Sequence, residues 1–267
     1  MTTIDTTVDT GASPAEHLRG LCGGAVHLPG DPTYDVARTP WNVAADLRPA
    51  AVAVPRHAAD VADVMHAALD AGLRVAPMST GHAAALLAMD SLDDVVLVRM
   101  SGLTGVIVDP EARTARVEGG TLWEDVVEAA AAHGLAALHG SAPDVAVVGY
   151  CLGGGIGWYA RKHGFAADSV VAVELVTPNG ELLRVDAEHH ADLFWALRGG
   201  GGNFGVVTAL EILLLPYADA YAGMLLWDRT AAPEVLRAWA AWTKDAPEEV
   251  TTSFRVMSFP PMPELPP

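Results

Sequence analysis

Gly149-Tyr150-Cys151-Leu152-Gly153-Gly154-Gly155-Ile156-Gly157 is a glycine cluster that two architectures would use differently. In a doubly wound parallel sheet it would be a dinucleotide phosphate turn, following a strand, opening a long helix and trailed by an acidic residue roughly 20 positions on. Glu174 stands near that distance. It lies, however, within the alternating stretch Val170–Arg184, whose Pro178-Asn179-Gly180 is a strong hairpin signal. An acidic residue inside a hairpin strand is in the wrong context, and the nicotinamide reading fails on it.

Outward from that cluster, the pattern predicts an α+β chain. Upstream, Ala51–Val54 is an apolar strand ended by Pro55. Val61, Val64, Met65, Ala68 and Leu69 follow at helical spacing, with Gly72 placed to end the helix. Leu73–Ala76 resumes as a strand that exits into Ser79-Thr80-Gly81-His82, and Val95–Met100 is another strand. Gly105–Asp109 and Thr114–Glu118 read as a hairpin; Trp123, Val126, Val127 and Ala130 carry a helix ended by Gly134. Downstream, Asp192–Leu197 reads as a short helix, and Gly199–Gly205 leads into the apolar strand Val206–Leu215. Crossover strands together with hairpins indicate α+β rather than a doubly wound sheet.

The ends of the chain read differently. Residues 1 to about 15 are polar, threonine-rich and expected to be disordered. The 51 residues after Pro216 hold strand-like runs at Ala222–Trp227 and Thr251–Phe259 around a helix with Val235, Leu236 and Trp239. Two isolated strands make a marginal core, so this reads as the opening of a second, incomplete domain.

Charge and composition narrow the partners. Sixteen Lys and Arg against 33 Asp and Glu give a formal charge of −17, which opposes attachment to nucleic acid or anionic lipid. Any phosphate ligand would need backbone N–H groups and helix N-termini for its positive potential. Cys22 and Cys151 are too few for a disulfide framework or a structural zinc. Met1–Thr7 lacks the basic and apolar regions of a secretion signal, and no apolar run reaches the roughly 18 residues of a membrane span. The expectation is a soluble, cytoplasmic protein.

Three glycine turns are candidate anion cradles, because a glycine backbone turns its N–H groups toward a ligand without a Cβ in the way. They are Ser79-Thr80-Gly81-His82, Gly119-Gly120-Thr121 and residues 149–157. Gly199–Gly202 reads equally well as a flexible turn before a strand. His82 alone would more often be structural, but its place directly after Ser79-Thr80-Gly81 sets it beside whatever the loop holds. His57, His66, His133, His139, His189 and His190 show no metal-ligand spacing and read as surface or capping residues. Ser141 has no arrangement that would support serine hydrolysis.

The order of these motifs resembles the FAD-binding PCMH-type domain of the vanillyl-alcohol-oxidase superfamily, in particular the berberine-bridge-enzyme-like oxidoreductases. Five segments carry the resemblance: Val75–His82, Val117–Trp123, Gly140–Val145, Gly149–Gly157 with Arg161-Lys162-His163-Gly164, and Asp192–Thr208. The resemblance implies a two-subdomain FAD-binding domain over residues 41–216, after an N-terminal segment 1–40 and before an incomplete, C-terminally truncated α+β substrate domain at 217–267. It implies that Met78, Ser79, Thr80, Gly81, His82 and Ala83 wrap the FAD pyrophosphate, and that His82 bonds covalently to the flavin 8α-methyl. Gly120, Thr121, Gly140, Ser141, Val145, Gly149, Tyr150, Gly153, Gly154, Gly157 and the backbone near Val207 would line the rest of the site. The cysteine that makes a second flavin link in some relatives is replaced by Ala142, so a single link is implied. The family often has arginine and glycine where this chain has Met78 and Thr80. Cys151 lies outside the linking position and reads as a small buried hydrophobe.

The implied chemistry is hydride transfer from a small organic substrate to flavin N5, with reoxidation by molecular oxygen or another acceptor. No catalytic base is assigned, because in the resembling family it usually comes from later parts of the chain. Two other classes compete: a catalytically silent flavin-binding protein, and a degenerate fragment whose unpaired strands after Pro216 drive association.

Overall fold

The computed structural model describes residues 13–258. In chain order its regular elements begin with β1 (Val26–His27), α1 (Tyr34–Arg38), β2 (Ala51–Ala53), α2 (Ala58–Asp70), β3 (Arg74–Met78) and β4 (Val95–Arg99). There follow β5 (Val106–Asp109), β6 (Thr114–Glu118), α3 (Trp123–Ala131), α4 (Val147–Leu152), α5 (Ala160–His163), β7 (Val170–Val176) and β8 (Leu182–Asp186). The last are α6 (Ala191–Gly200), β9 (Val206–Leu213) and α7 (Ala232–Trp242). The result is an α+β fold of two subdomains, each built on its own sheet.

The first sheet runs β1-β2-β4-β3, with β2, β4 and β3 parallel and β1 antiparallel. Parallel strands covered on both faces become continuous apolar runs, and Val95–Val98 of β4 are all buried accordingly. Val96 and Val98 face a core with α2, while Val95 and Leu97 face a second core with Tyr34 and Met78.

Helix α2 follows its sequence pattern closely. Asp60 reaches back to accept from the backbone N–H groups of Arg56 (2.8 Å) and His57 (3.0 Å), satisfying donors that the first turn leaves open. Val61, Val64, Met65 and Ala68 are buried. Gly72, at φ +68°, ends the helix, with its N–H on Leu69 O and the Leu73 N–H on Ala68 O. Leu69 departs from the expected buried stripe and is 59 % exposed, since the stripe turns away from the sheet at the last turn.

The second sheet is antiparallel, in the order β5-β6-β9-β7-β8. One face packs on α3, α4 and α6 through Val117, Trp123, Val147, Cys151, Val173, Leu175 and Leu197, among others. The other face carries a charge ladder. Arg116 donates to Glu174 at 2.8 and 2.7 Å, and Arg184 pairs with Asp186 and Glu211. At one end this outer face meets the first subdomain, where Val176 and Val206 join the α2 core and the His66 ring lies 3.0 Å from Asn179 O.

Two expectations are corrected here. Residues 1–12 lie outside the described residues, but Pro14–Leu18 is an ordered 3-10 turn with Ala15 and Leu18 fully buried, so order starts before residue 15. Ala222–Trp227 and 251–258 are irregular rather than strands, while Phe259 lies outside the described residues. Tyr221, Met224, Leu225, Leu226 and Trp227 are largely exposed, so their apolar character reflects no pairing among the described residues. The predicted helix between those runs is present as α7. Among the described residues no helix is long and apolar enough to cross a membrane.

Candidate functional site

The Met78–Ala83 loop leaves the carboxyl end of β3, an end that ligands commonly occupy in α/β sheets, where the first subdomain meets the second. Beyond Met78 the chain turns sharply at Gly81 (φ +83°), where a Cβ would stand 2.5 Å from Pro40 Cβ and 3.0 Å from the Met78 sulfur. Only glycine fits that turn. Ser79 Oγ donates to Gly119 O at 2.9 Å, tying the loop to the second subdomain.

His82 is held on two sides. Its Nδ1 lies 2.8 Å from Thr80 Oγ1, and its ring stacks on the Trp41 indole with centroids 4.0 Å apart and planes 17° apart. Trp41 is itself pinned, donating from its backbone N–H to Thr80 O (2.8 Å) and from Nε1 to Asp144 Oδ2 (2.7 Å). His82 Nε2 is buried and has no hydrogen-bond partner among the described residues. Neither Trp41 nor Asp144 stood out in the sequence, because nothing local to Pro40-Trp41-Asn42 announces a contact with residue 82 or residue 144.

The Gly119-Gly120-Thr121 turn overturns the anion-cradle expectation. Its three N–H groups are spent on Thr208 O, Leu103 O and Glu118 O, and the Thr121 hydroxyl is engaged with both backbone groups of Gly105. The N–H groups of Trp123 and Glu124, at the start of α3, are likewise taken, by Val145 O and Pro143 O. This turn is a packing joint. A Cβ on Gly120 would collide with Met100 O, and one on Gly119 would sit 2.8 Å from Val207 O. That contact also brings the Val207 backbone to the joint.

Residues 149–157 divide into two roles. Gly155 and Gly157, with Gly140, make room for the Tyr150 ring: a Cβ on Gly140 would lie 3.1 Å from it and one on Gly155 2.5 Å, while one on Gly157 would strike His139 O and lie 3.3 Å from the Tyr150 hydroxyl. The ring meets Trp123 edge-on at 5.5 Å. The Tyr150 hydroxyl is buried without a partner among the described residues, and burial pushes its pKa up to about 12, so it stays a proton donor. By contrast, a Cβ on Gly149 or Gly154 would meet nothing within 4 Å, and Gly149, Gly153 and Ser141 are exposed. These residues, with half-buried Val145, form an open face beside Tyr150. Ala83 is also exposed. Cys151 is fully buried and its thiol is pushed up to about 12, which makes it a packing residue.

The 199–205 loop closes the rim. Gly202 approaches Pro77 of β3, where a Cβ would stand 3.0 Å from Cγ, and Gly205 (φ +149°) passes against Val176 O. Arg198, which opens the loop, lies with its guanidinium 4.2 Å over the Phe194 ring and has a buried Nε without a partner among the described residues.

Buried polar groups are nearly always paired, so orphans call for an explanation. His82 Nε2 and the Tyr150 hydroxyl each leave a polar atom for a ligand to meet, and FAD, which carries many polar atoms, fits that requirement. The residues present are compatible with it.

The FAD binding domain family matches residues 49–186. The chain is 34 % identical to (R)-6-hydroxynicotine oxidase of Paenarthrobacter nicotinovorans over 206 residues, which is 76 % of this chain and 44 % of that protein. It is 29 % identical to glucooligosaccharide oxidase of Sarocladium strictum, over 84 % of this chain and 46 % of that one. Among solved structures, BBE-like 1 of Physcomitrella patens superposes with a TM-score of 0.77 at 25 % identity, over 89 % of this chain and 52 % of its own. The chain thus spans about half the length of the relatives it matches.

Proposed function

The chain belongs to the FAD binding domain family of the vanillyl-alcohol-oxidase/PCMH superfamily, and from that premise we propose that it is an FAD-linked oxidoreductase acting on a small organic molecule, with the flavin attached through His82. The observation that carries the reading is the imidazole held on two sides with a buried Nε2 that has no partner among the described residues. The oxidase names of the relatives support a small-molecule substrate and dioxygen as an acceptor.

When bound, the flavin supplies hydride acceptance from a substrate C–H and electron delivery to dioxygen or another acceptor. This chain's residues then have separate tasks. The Met78–Ala83 loop holds the pyrophosphate region, and Arg198 offsets part of the repulsion that a charge of −17 exerts on it. Ser141, Val145, Gly149, Gly153 and Gly154 line the open face, while Gly140 and Gly157 set the Tyr150 ring whose hydroxyl donates a hydrogen bond. Gly120, Thr121 and the Val207 backbone hold the two subdomains in register behind it. In this reading the FAD-binding unit spans residues 41–216, and residues 217–267 begin the substrate-facing region. No residue is assigned as catalytic base.

The test is the intact mass of acid-denatured protein, alongside His82→Ala. A mass increase of one FAD that disappears on substitution is the expected result. An unmodified mass together with a colourless native protein would overturn the proposal.

A further inference from the structure

Resting on the reading of the Met78–Ala83 loop as the holder of the FAD pyrophosphate, we propose that Arg99 is a further cofactor-binding residue, whose guanidinium meets that pyrophosphate at the carboxyl edge of the first sheet.

Position comes first. Arg99 ends β4, and the parallel register sets it beside Met78, which ends β3 and from which the loop departs. Leu97, two residues earlier, faces the core that holds Met78 and Tyr34, and strand alternation puts Arg99 on that same face. Its Nη1 accordingly reaches the chain just after α1, donating to Thr39 O at 2.6 Å and to Ala37 O at 3.3 Å. The next two residues touch the loop: a Cβ on Gly81 would strike Pro40, and Trp41 donates its backbone N–H to Thr80 O. Arg99 is thus tied to the loop twice, through its strand neighbour and through residues 39–41.

Charge follows from the surroundings. Arg38, Arg74, Arg116 and Arg184 each lie on a carboxylate. Arg99 donates only to main-chain carbonyls among the described residues, and desolvation alone acts on its pKa, lowering it, with no carboxylate to offset the burial. A half-buried charge without a counter-charge is costly, so in a chain of 33 acidic residues this guanidinium marks a place for an anion from outside the chain. Arginine presents its N–H donors in a planar fork that fits phosphate oxygens two at a time. The two carbonyls occupy Nη1, while Nε and Nη2 have no hydrogen-bond partner among the described residues. The loop Met78-Ser79-Thr80-Gly81-His82-Ala83 holds no Lys or Arg of its own, so a pyrophosphate there takes its full positive charge from a neighbouring element.

The experiment uses the full chain purified flavin-free from a riboflavin-starved host, in a His82→Ala background so that binding is reversible. Two ligands are titrated: FAD, and riboflavin, which shares the ring system and lacks phosphate. Arg99→Gln and Arg99→Met should each weaken FAD roughly 10- to 150-fold, the worth of hydrogen bonds to a charged group, and leave riboflavin unchanged. Added KCl should weaken FAD less in these variants than in the parent, because one screened attraction is gone. Arg99→Lys keeps the charge without the fork and should fall between parent and Arg99→Gln. Glutamine also retains a donor for Thr39 O, and thermal denaturation without flavin shows which variants fold. FAD affinity unchanged in Arg99→Gln and Arg99→Met would overturn the proposal. Equal losses for FAD and riboflavin would overturn it as well, leaving Arg99 as a staple for residues 37–41. A parent that binds neither flavin would overturn the FAD assignment itself, whereas a parent that binds FAD regardless of residue 99 would overturn only the role of Arg99.

Discussion

Gly149→Ala separates a glycine kept for the fold from one kept for a ligand. Gly149 lies in helix α4, where glycine costs roughly 0.5–1 kcal/mol relative to alanine. Its φ is not positive and a Cβ there would meet nothing within 4 Å, so the fold gives no reason for that cost. Alanine should therefore stabilise the flavin-free protein by roughly 0.5–1 kcal/mol, raising its melting temperature by about 1–4 °C for a chain of this size. The proposed cofactor would meet the new methyl group. A steric penalty of roughly 1–3 kcal/mol weakens binding roughly 5- to 150-fold. The assay is thermal denaturation of flavin-free protein together with an FAD titration, both in a His82→Ala background so that binding is reversible. A raised melting temperature with unchanged Kd would refute the assignment of this face to FAD. A lowered melting temperature would refute the reading of the local geometry.

Gly120→Ala should behave oppositely, because its Cβ would run into Met100 O and lie 2.7 Å from Met100 C and 3.1 Å from Leu103 O, all backbone atoms that cannot swing away. A loss of about 3 kcal/mol is expected, seen as a lower urea midpoint at constant slope, and an unchanged midpoint would refute it. Burial raises the Cys22 and Cys151 thiols from 9.0 and the Tyr150 hydroxyl from 10.0, each to about 12. The unfolded chain thus ionises first, so stability is full below pH about 9 and falls as pH climbs toward about 12. Urea midpoints on both sides of pH 9 check this, as does iodoacetamide, which should label Cys151 only after unfolding.

Much of the fold was legible because its signals are local. The α2 stripe with Gly72, the Asn179-Gly180 hairpin and the 105–118 hairpin depend on residues within a few positions of one another, and each appears where the pattern puts it. Strand order was not legible. That β4 lies between β2 and β3, and β9 between β6 and β7, depends on pairings between distant residues. The site divides similarly. Glycine clusters marked the right loops, yet which glycines make room for Tyr150, which bind the subdomains together and which stay open follows only from what each would touch. The apolar runs after Pro216 misled for a related reason, since β-like composition makes a strand only where a partner edge exists.

The position of β9 also orders the birth of the protein. As the ribosome releases the chain, β5–β6 and β7–β8 emerge as two separate hairpins, each marginal alone in water. Neither can recruit the other, because the strand that joins them, Val206–Leu213, is made last. Until it inserts, Gly119 lacks its Thr208 partner, and the outer end of β7 lacks Val206 beside the α2 core. Nascent chains arrested before residue 206 should hold a formed first sheet with a protease-sensitive remainder, and flavin capture should begin only once β9 has cleared the exit tunnel.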